Sequence, residues 1–261
     1  MNHAWKTQKN VVFALYIREL KARFSHFRLG YIWAIAEPLA MVALLSLIRM
    51  ALGKEDIAGF SYPLFFTTGI IPYYFFQTSV TQSLNVIESN MPLMNYRIVK
   101  PIDPVIAKII LEFLIYMGTG VLIVGGLVFL GFGFTWYDTL GLILVMACLI
   151  SFTLGIGLMT AVIGAFVHES KKLVPIIIRP FFFISGIFFP AVMIPSTYRD
   201  KLLSNPLLQV SEFTRRCIIE EFTVSHGNIM YLFFCSITSL GLGLCVYRVS
   251  RLKLSTSGNI R

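Results

Sequence analysis

Six stretches of mostly apolar residues, each bounded by charges or turn formers, limit this chain to one class of fold. They lie near residues 31–52, 62–87, 105–130, 139–167, 173–192 and 229–247. At about 1.5 Å per helical residue, a run of roughly twenty crosses a hydrocarbon core of about 30 Å. The expectation is an all-α integral membrane protein with six transmembrane helices. The second and fourth runs exceed the minimum length, and the fifth is the least regular. A content of 56% hydrophobic and 13% charged residues, with mean hydropathy +0.76, excludes an ordinary soluble domain, in which about a quarter of residues are charged. The polar segments are too short for a second folded domain. The division expected is therefore an amphipathic segment over residues 1–30, a membrane domain over 31–247 and a tail over 248–261.

In the first segment Phe13, Tyr16, Ile17, Leu20, Phe24 and Phe27 recur at three- and four-residue intervals, with Arg18, Lys21, Ser25 and Arg28 on the other face. Such a helix lies in the headgroup plane before the chain turns into the first span. It lacks the short apolar core and small-residue cleavage site of a removable signal peptide. The net charge of +9 would suggest nucleic acid in a soluble protein, but here the cations follow the loops. One side carries Lys6, Lys9, Arg18, Lys21, Arg23, Arg28, Arg97, Lys100, Lys108, Lys171, Lys172, Arg248, Arg251, Lys253 and Arg261. The other carries Arg49, Lys54, Arg199, Lys201, Arg215 and Arg216, offset by Glu55, Asp56, Asp200, Glu212, Glu220 and Glu221. The positive-inside rule then places both termini of this multi-pass protein in the cytoplasm. The long external connection over 193–228, with Pro195 and Pro206 among apolar and charged residues, reads as short extracytoplasmic helices between spans 5 and 6.

The chemistry-bearing residues are few. Cys148, Cys217, Cys235 and Cys245 show no metal-ligand spacing, and His3, His26 and His226 are isolated. His168 beside Glu169 has no third group to complete an acid/base site. No catalytic residues and no metal are expected. Glu37-Pro38 and Arg179-Pro180 sit in apolar runs, where a charge costs at least about 2.5 kcal/mol and must face protein or water. They either pair or meet an anionic substrate, or else lie at headgroup depth, Arg179 by snorkelling toward Lys171 and Lys172. Tyr73 and Tyr74 suit carbohydrate, through C–H packing on the ring and hydrogen bonds from the phenol, although interfacial belts and helix packing account for most membrane aromatics. Thr153, Gly157, Ala161 and Ala165 form a small-residue stripe for close helix packing. In the loop over 89–104 apolar contact from Met91, Leu93, Met94 and Tyr96, with register from Arg97, Lys100 and Asp103, fits a protein partner and lipid headgroups equally.

Two segments carry a more specific signal. RFSHFRLGYIWAIAEP over residues 23–38 and NYRIVKPID over 95–103 resemble the permease subunit of Gram-negative capsular polysaccharide ABC exporters, of the group 2 capsule type. SGIFFP over 185–190, Ile194-Pro195 and NPL over 205–207 are similar to later signatures of type-2 ABC export permeases at large. The resemblance implies a homodimer of six-span subunits in the inner membrane, each docked on a separate ATPase, exporting lipid-linked polysaccharide. It makes Arg18, Glu19, Arg23 and Phe24 an interface helix, and Asn95, Tyr96, Arg97, Lys100 and Asp103 the coupling element. A periplasmic co-polymerase and an outer-membrane polysaccharide exporter are the further partners implied. ATP and Mg²⁺ would be used by the partner ATPase. The chain's own residues agree, since Gly53-Lys54 is followed by Glu55 and preceded by Ile48 where a phosphate loop needs glycine. Exporters of O-antigen, teichoic acid or drugs share the later motifs. A stand-alone secondary transporter or channel is the alternative of another class, disfavoured by the missing internal repeat. A membrane-embedded transferase lacks any cluster of reactive groups.

Overall fold

The computed structural model describes residues 2–25, 30–53, 61–94, 98–133, 137–218, 222 and 227–256, and every regular element among them is helical. In chain order these are α1 (Asn2–Ser25), α2 (Gly30–Ala51), α3 (Tyr62–Ser89), α4 (Met91–Met94), α5 (Ile102–Phe129) and α6 (Thr139–Phe166). They continue as α7 (Ser170–Ile178), α8 (Phe181–Ile184), α9 (Ser196–Leu203), α10 (Pro206–Ile218) and α11 (Ile229–Thr256). Windows in α2, α5, α6 and α11 are long and apolar enough to cross a membrane.

α3 occupies the centre, packed by α2, α5, α6, α7 and α10. It is less apolar than α2, α5 and α6, and most of its residues are buried against other helices. Several of its hydroxyls bond along its own axis, from Thr67 Oγ1 to Pro63 O (2.6 Å), Thr68 Oγ1 to Phe65 O (2.8 Å) and Ser83 Oγ to Ser79 O (2.7 Å). The chain alternates direction through α3, α5 and α6, which produces two ends. At one end α1 meets Ser89, Asn90 and Asp103, and Lys171 pairs with Glu88. At the other, Arg49 Nη2 donates to Phe188 O (3.1 Å) and Asp138 N to Cys217 O (2.9 Å).

α6 and α11 approach so closely that a Cβ on Gly155 would fall 2.3 Å from the Ser239 backbone, and one on Gly243 would fall 2.4 Å from Gly155 O. On another face of α6, a Cβ on Gly164 would meet Leu84 O at 2.1 Å. Of the expected small-residue stripe, Thr153, Gly157 and Ala161 are packed inside the subunit and Ala165 is exposed.

The run over 173–192 is not one helix. Pro180 has no N–H to continue α7, so the Phe182 N–H turns to Arg179 O (3.1 Å), and after α8 Gly186 takes a left-handed φ of 72°. A 3₁₀ turn over Ala191–Met193 then leads to α9 and α10, the short helices expected between the last two spans. At the C-terminal end α11 runs on to Thr256, past the expected limit at 247.

Candidate functional site

α1 lies along α5 and turns Gln8, Glu19 and Arg23 toward it. Leu15 and Glu19 are buried against the bundle, while Phe13 is 63% exposed and stacks with Tyr16 at 6.4 Å. The reason is the polar character of the surface it covers. Helix α3 ends at Ser89, and the Ser89 carbonyl and the Asn90 side-chain oxygen beyond it need donors. Arg18 supplies them, through Nη1 to Asn90 Oδ1 (2.6 Å) and Nη2 to Ser89 O (3.2 Å). Asn90 Nδ2 in turn donates to Glu19 Oε1 (3.2 Å) and Val86 O (2.8 Å).

The seam continues along α5. Lys108 Nζ bonds Glu19 Oε2 at 3.2 Å and stands 3.8 Å from Glu112 Oε1, while Arg23 pairs with Glu112. At the helix start Asp103 accepts from Lys100 N (2.8 Å) and from Gln8 Nε2 of α1, tying the loop to both helices. Glu19, Asn90, Asp103, Lys108 and Glu112 are all buried. Buried ions hold only when each has partners, and removing one leaves an uncompensated charge at a cost of about 3–5 kcal/mol.

Of the residues expected to face a partner, Arg18, Glu19 and Arg23 therefore engage α3 and α5 of their own chain, and Asp103 binds α1. Lys100 is exposed. Asn95, Tyr96 and Arg97 lie outside the described residues, as does the side chain of Phe24.

A second cluster forms in the bundle, where a cavity of about 180 Å³ is lined by Glu37, Met41, Tyr74, Gln77, Thr78, Arg179 and Phe182. Three of the four residues expected on a substrate pathway, Glu37, Tyr74 and Arg179, thus meet around one space. Tyr73 does not line it. The break at Pro180 frees the Ile178 carbonyl from Phe182, and Tyr73 Oη donates to it at 2.7 Å. The walls are aromatic. Phe182 packs edge-on against Tyr73 at 5.3 Å, Tyr74 lies edge-on to Tyr116 at 6.4 Å, and Thr78 Oγ1 and Tyr116 Oη share a 2.8 Å hydrogen bond. Glu37 and Arg179 are both exposed, and no ion pair joins them among the described residues. The cavity offers a cation, a carboxylate, an amide and hydroxyls between aromatic rings, a set suited to binding a sugar and its anionic groups.

Sequence reasoning passed over Arg215, counted only as a loop cation. Its guanidinium is fully buried at the other end of the bundle, with Nη1 on Glu212 Oε1 (3.1 Å) and Nη2 on Gly186 O (2.6 Å), and it stands 3.7 Å over the Phe65 ring. The Glu212-x-x-Arg215 spacing on a helix was the available signal. Asn90 and Glu112 were also missed, being a loop-edge amide and a lone acid within an apolar run.

Residues 10–213 match the family model described as ABC-2 type transporter. The polysialic acid transport protein KpsM of Escherichia coli is 37% identical over 253 residues, which span 97% of this chain and 98% of that protein. The capsule polysaccharide export inner-membrane protein CtrC of Neisseria meningitidis is 23% identical across 92% of this chain and 90% of its own length. The O-antigen export system permease protein RfbA of Klebsiella pneumoniae is 24% identical across 88% of each chain. With the family model covering most of its length and similarity to a transport protein running nearly end to end, this chain belongs to the ABC-2 type transporter family.

Proposed function

We propose that this chain is the inner-membrane permease subunit of an ATP-driven ABC exporter that moves lipid-linked capsular polysaccharide from cytoplasm to periplasm. The observation that carries the reading is the near full-length similarity to the polysialic acid transport protein KpsM. The charged, aromatic-walled cavity at Glu37, Tyr74 and Arg179 is consistent with a polyanionic glycan. An O-antigen glycan is the second reading, favoured by the similarity to RfbA.

In this reading the membrane domain over 31–247 has six spans, namely α2, α3, α5, α6, the broken α7–α8 segment and α11. Residues 1–30 form the interface segment and 248–261 the cytoplasmic tail. The end carrying α1, Asn90 and Asp103 faces the cytoplasm with both termini, and α9 and α10 face the periplasm, an orientation supported by the cation distribution. Two copies pair about a central pathway bordered by Glu37, Tyr74 and Arg179, and each docks one ATPase, which binds ATP and Mg²⁺. A periplasmic co-polymerase and an outer-membrane exporter receive the polymer. The subunit itself performs no hydrolysis.

Movement of the ATPases reaches the spans through α1 and the loop over 95–103. Because Asp103, Lys108 and Glu112 of α5 and Asn90 of α3 are bonded to α1, displacement of α1 moves both spans together. The test is deletion of the chain in its host, with staining for polymer, and pull-down of the ATPase on tagged protein. Polymer retained in the cytoplasm and a copurifying ATPase are expected. An unchanged surface capsule overturns the substrate, and transport by the purified chain on an ion gradient alone overturns the class.

A further inference from the structure

Helix α3 lies at the centre of the bundle, yet one of its faces is left open. From Tyr74 to Ser89 every residue of α3 that is not buried carries a polar group, among them Gln77, Thr81, Gln82 and Asn85. These positions recur at i, i+3 and i+4, so they share one side of the helix. At about 1.5 Å per residue the polar face runs for about 22 Å toward the end that carries α1.

Two cavities open on this face. The charged one takes Tyr74, Gln77 and Thr78 from it. A second, also of about 180 Å³, is lined by Gln82, Asn85, Val86 and Ser89 of α3 together with Glu19 of α1 and Lys108 of α5. Thr81 lies between the two. In the second cavity the charges are spent on each other, since Lys108 Nζ bonds Glu19 Oε2 at 3.2 Å, and the Ser89 hydroxyl donates to Val86 O at 3.2 Å. The side-chain amides of Gln82 and Asn85 bond no other group among the described residues, and neither does that of Gln77. Polar side chains on a spanning helix face protein or water, because acyl chains offer them no partner.

The groups left free select the occupant. A phosphate or carboxylate calls for an unpaired cation, and Lys108 is paired. A primary amide both donates and accepts, which is what a sugar hydroxyl also does. A second copy of the chain fits less well, because helices of two copies pack through small residues at close approach, and here long amides border a hollow. We propose that the cavity at Gln82 and Asn85 is a second glycan subsite, which binds sugar hydroxyls while the cavity at Arg179 takes the anionic groups, the polar face of α3 joining the two. This rests on the exporter reading above and adds where the uncharged part of the polymer is held.

The test is thiol labelling of the full chain in inside-out vesicles from its host, with a membrane-impermeant methanethiosulfonate and the modified positions mapped by mass spectrometry. Gln77→Cys, Gln82→Cys and Asn85→Cys should all react, and Leu114→Cys, at an exposed apolar position of α5, should not. Short oligomers cut from the host's own surface polymer should slow the reaction at 82 and 85 at least about fivefold, the equivalent of one ordinary hydrogen bond, and glycerol 3-phosphate should not. Gln82→Leu with Asn85→Leu should lower export by at least as much with the ATPase still copurifying. The proposal is overturned by unreactive positions 82 and 85, by rates that oligomers leave unchanged, by equal protection from glycerol 3-phosphate, which would mark a lipid headgroup site, or by a disulfide between the Gln82→Cys positions of two copies. Surface polymer that survives deletion of the chain fails the exporter reading, whereas a working exporter with unprotected positions fails the subsite alone.

Discussion

Arg215 is the largest fully buried side chain among the described residues, and it joins three elements. Helix α10 carries it, α3 supplies the Phe65 ring and carbonyl, and the turn after α8 supplies Gly186 O. Glycine at 69 makes room, since a Cβ there would stand 3.0 Å from Arg215 Nη2. Burial pulls the guanidinium down to about 10 and pushes the Glu212 carboxyl up, and the attraction between the two opposes both shifts. Glu212→Gln removes the carboxylate paired with Arg215, and the expected cost is about 3–5 kcal/mol, read as a lower thermal midpoint in detergent. Replacing both ions by apolar side chains, Glu212→Leu with Arg215→Met, should recover most of that loss, because an apolar pair of similar volume has no charge to desolvate. The position of the cation was plain in the sequence. Its burial was not, since the groups that satisfy it come from residues 65 and 186.

At the scale of elements, periodicity and length gave α2, α3, α5, α6 and α11 close to their observed starts, because a long apolar run has few alternatives to a helix. The interruption of the fifth run follows from Pro180 and Gly186, both visible in the sequence. The turn they create matters through a partner, as the Ile178 carbonyl it releases is taken by Tyr73. Glycine roles divide in the same way. Gly155→Leu drives a side chain into the Ser239 backbone and should separate α6 from α11, costing at least about 1–3 kcal/mol and lowering folded yield. Gly118→Ala meets open space on α5 and should be neutral or stabilise by up to about 1 kcal/mol. Thermal unfolding of the two variants side by side checks the contrast.

For the whole molecule, the seam of hydrogen bonds and ion pairs ties α1 to α3 and α5. Reversing Glu19→Lys or Lys108→Glu alone should reduce export at least tenfold, because each places like charges together in a buried site. The double reversal recovers the attraction between positions 19 and 108 but sets a second carboxylate beside Glu112, so partial recovery is expected, whereas a role in binding the ATPase directly would leave the double variant as impaired as either single one. ATP hydrolysis measured alongside surface polymer separates lost coupling from lost assembly. Arg179→Ala should lower export while leaving ATPase association intact. The sequence by itself determined that the chain is a helical membrane protein, its charge asymmetry and the family it belongs to, because hydropathy, loop cations and continuous motifs are local or cumulative properties. Only the tertiary structure decided that Arg18, Glu19 and Arg23 engage α3 and α5 of their own chain, and that Glu37, Tyr74 and Arg179 share a cavity without Tyr73. The physical reason is that burial and hydrogen-bond satisfaction depend on which helices become neighbours, and those neighbours are distant in sequence.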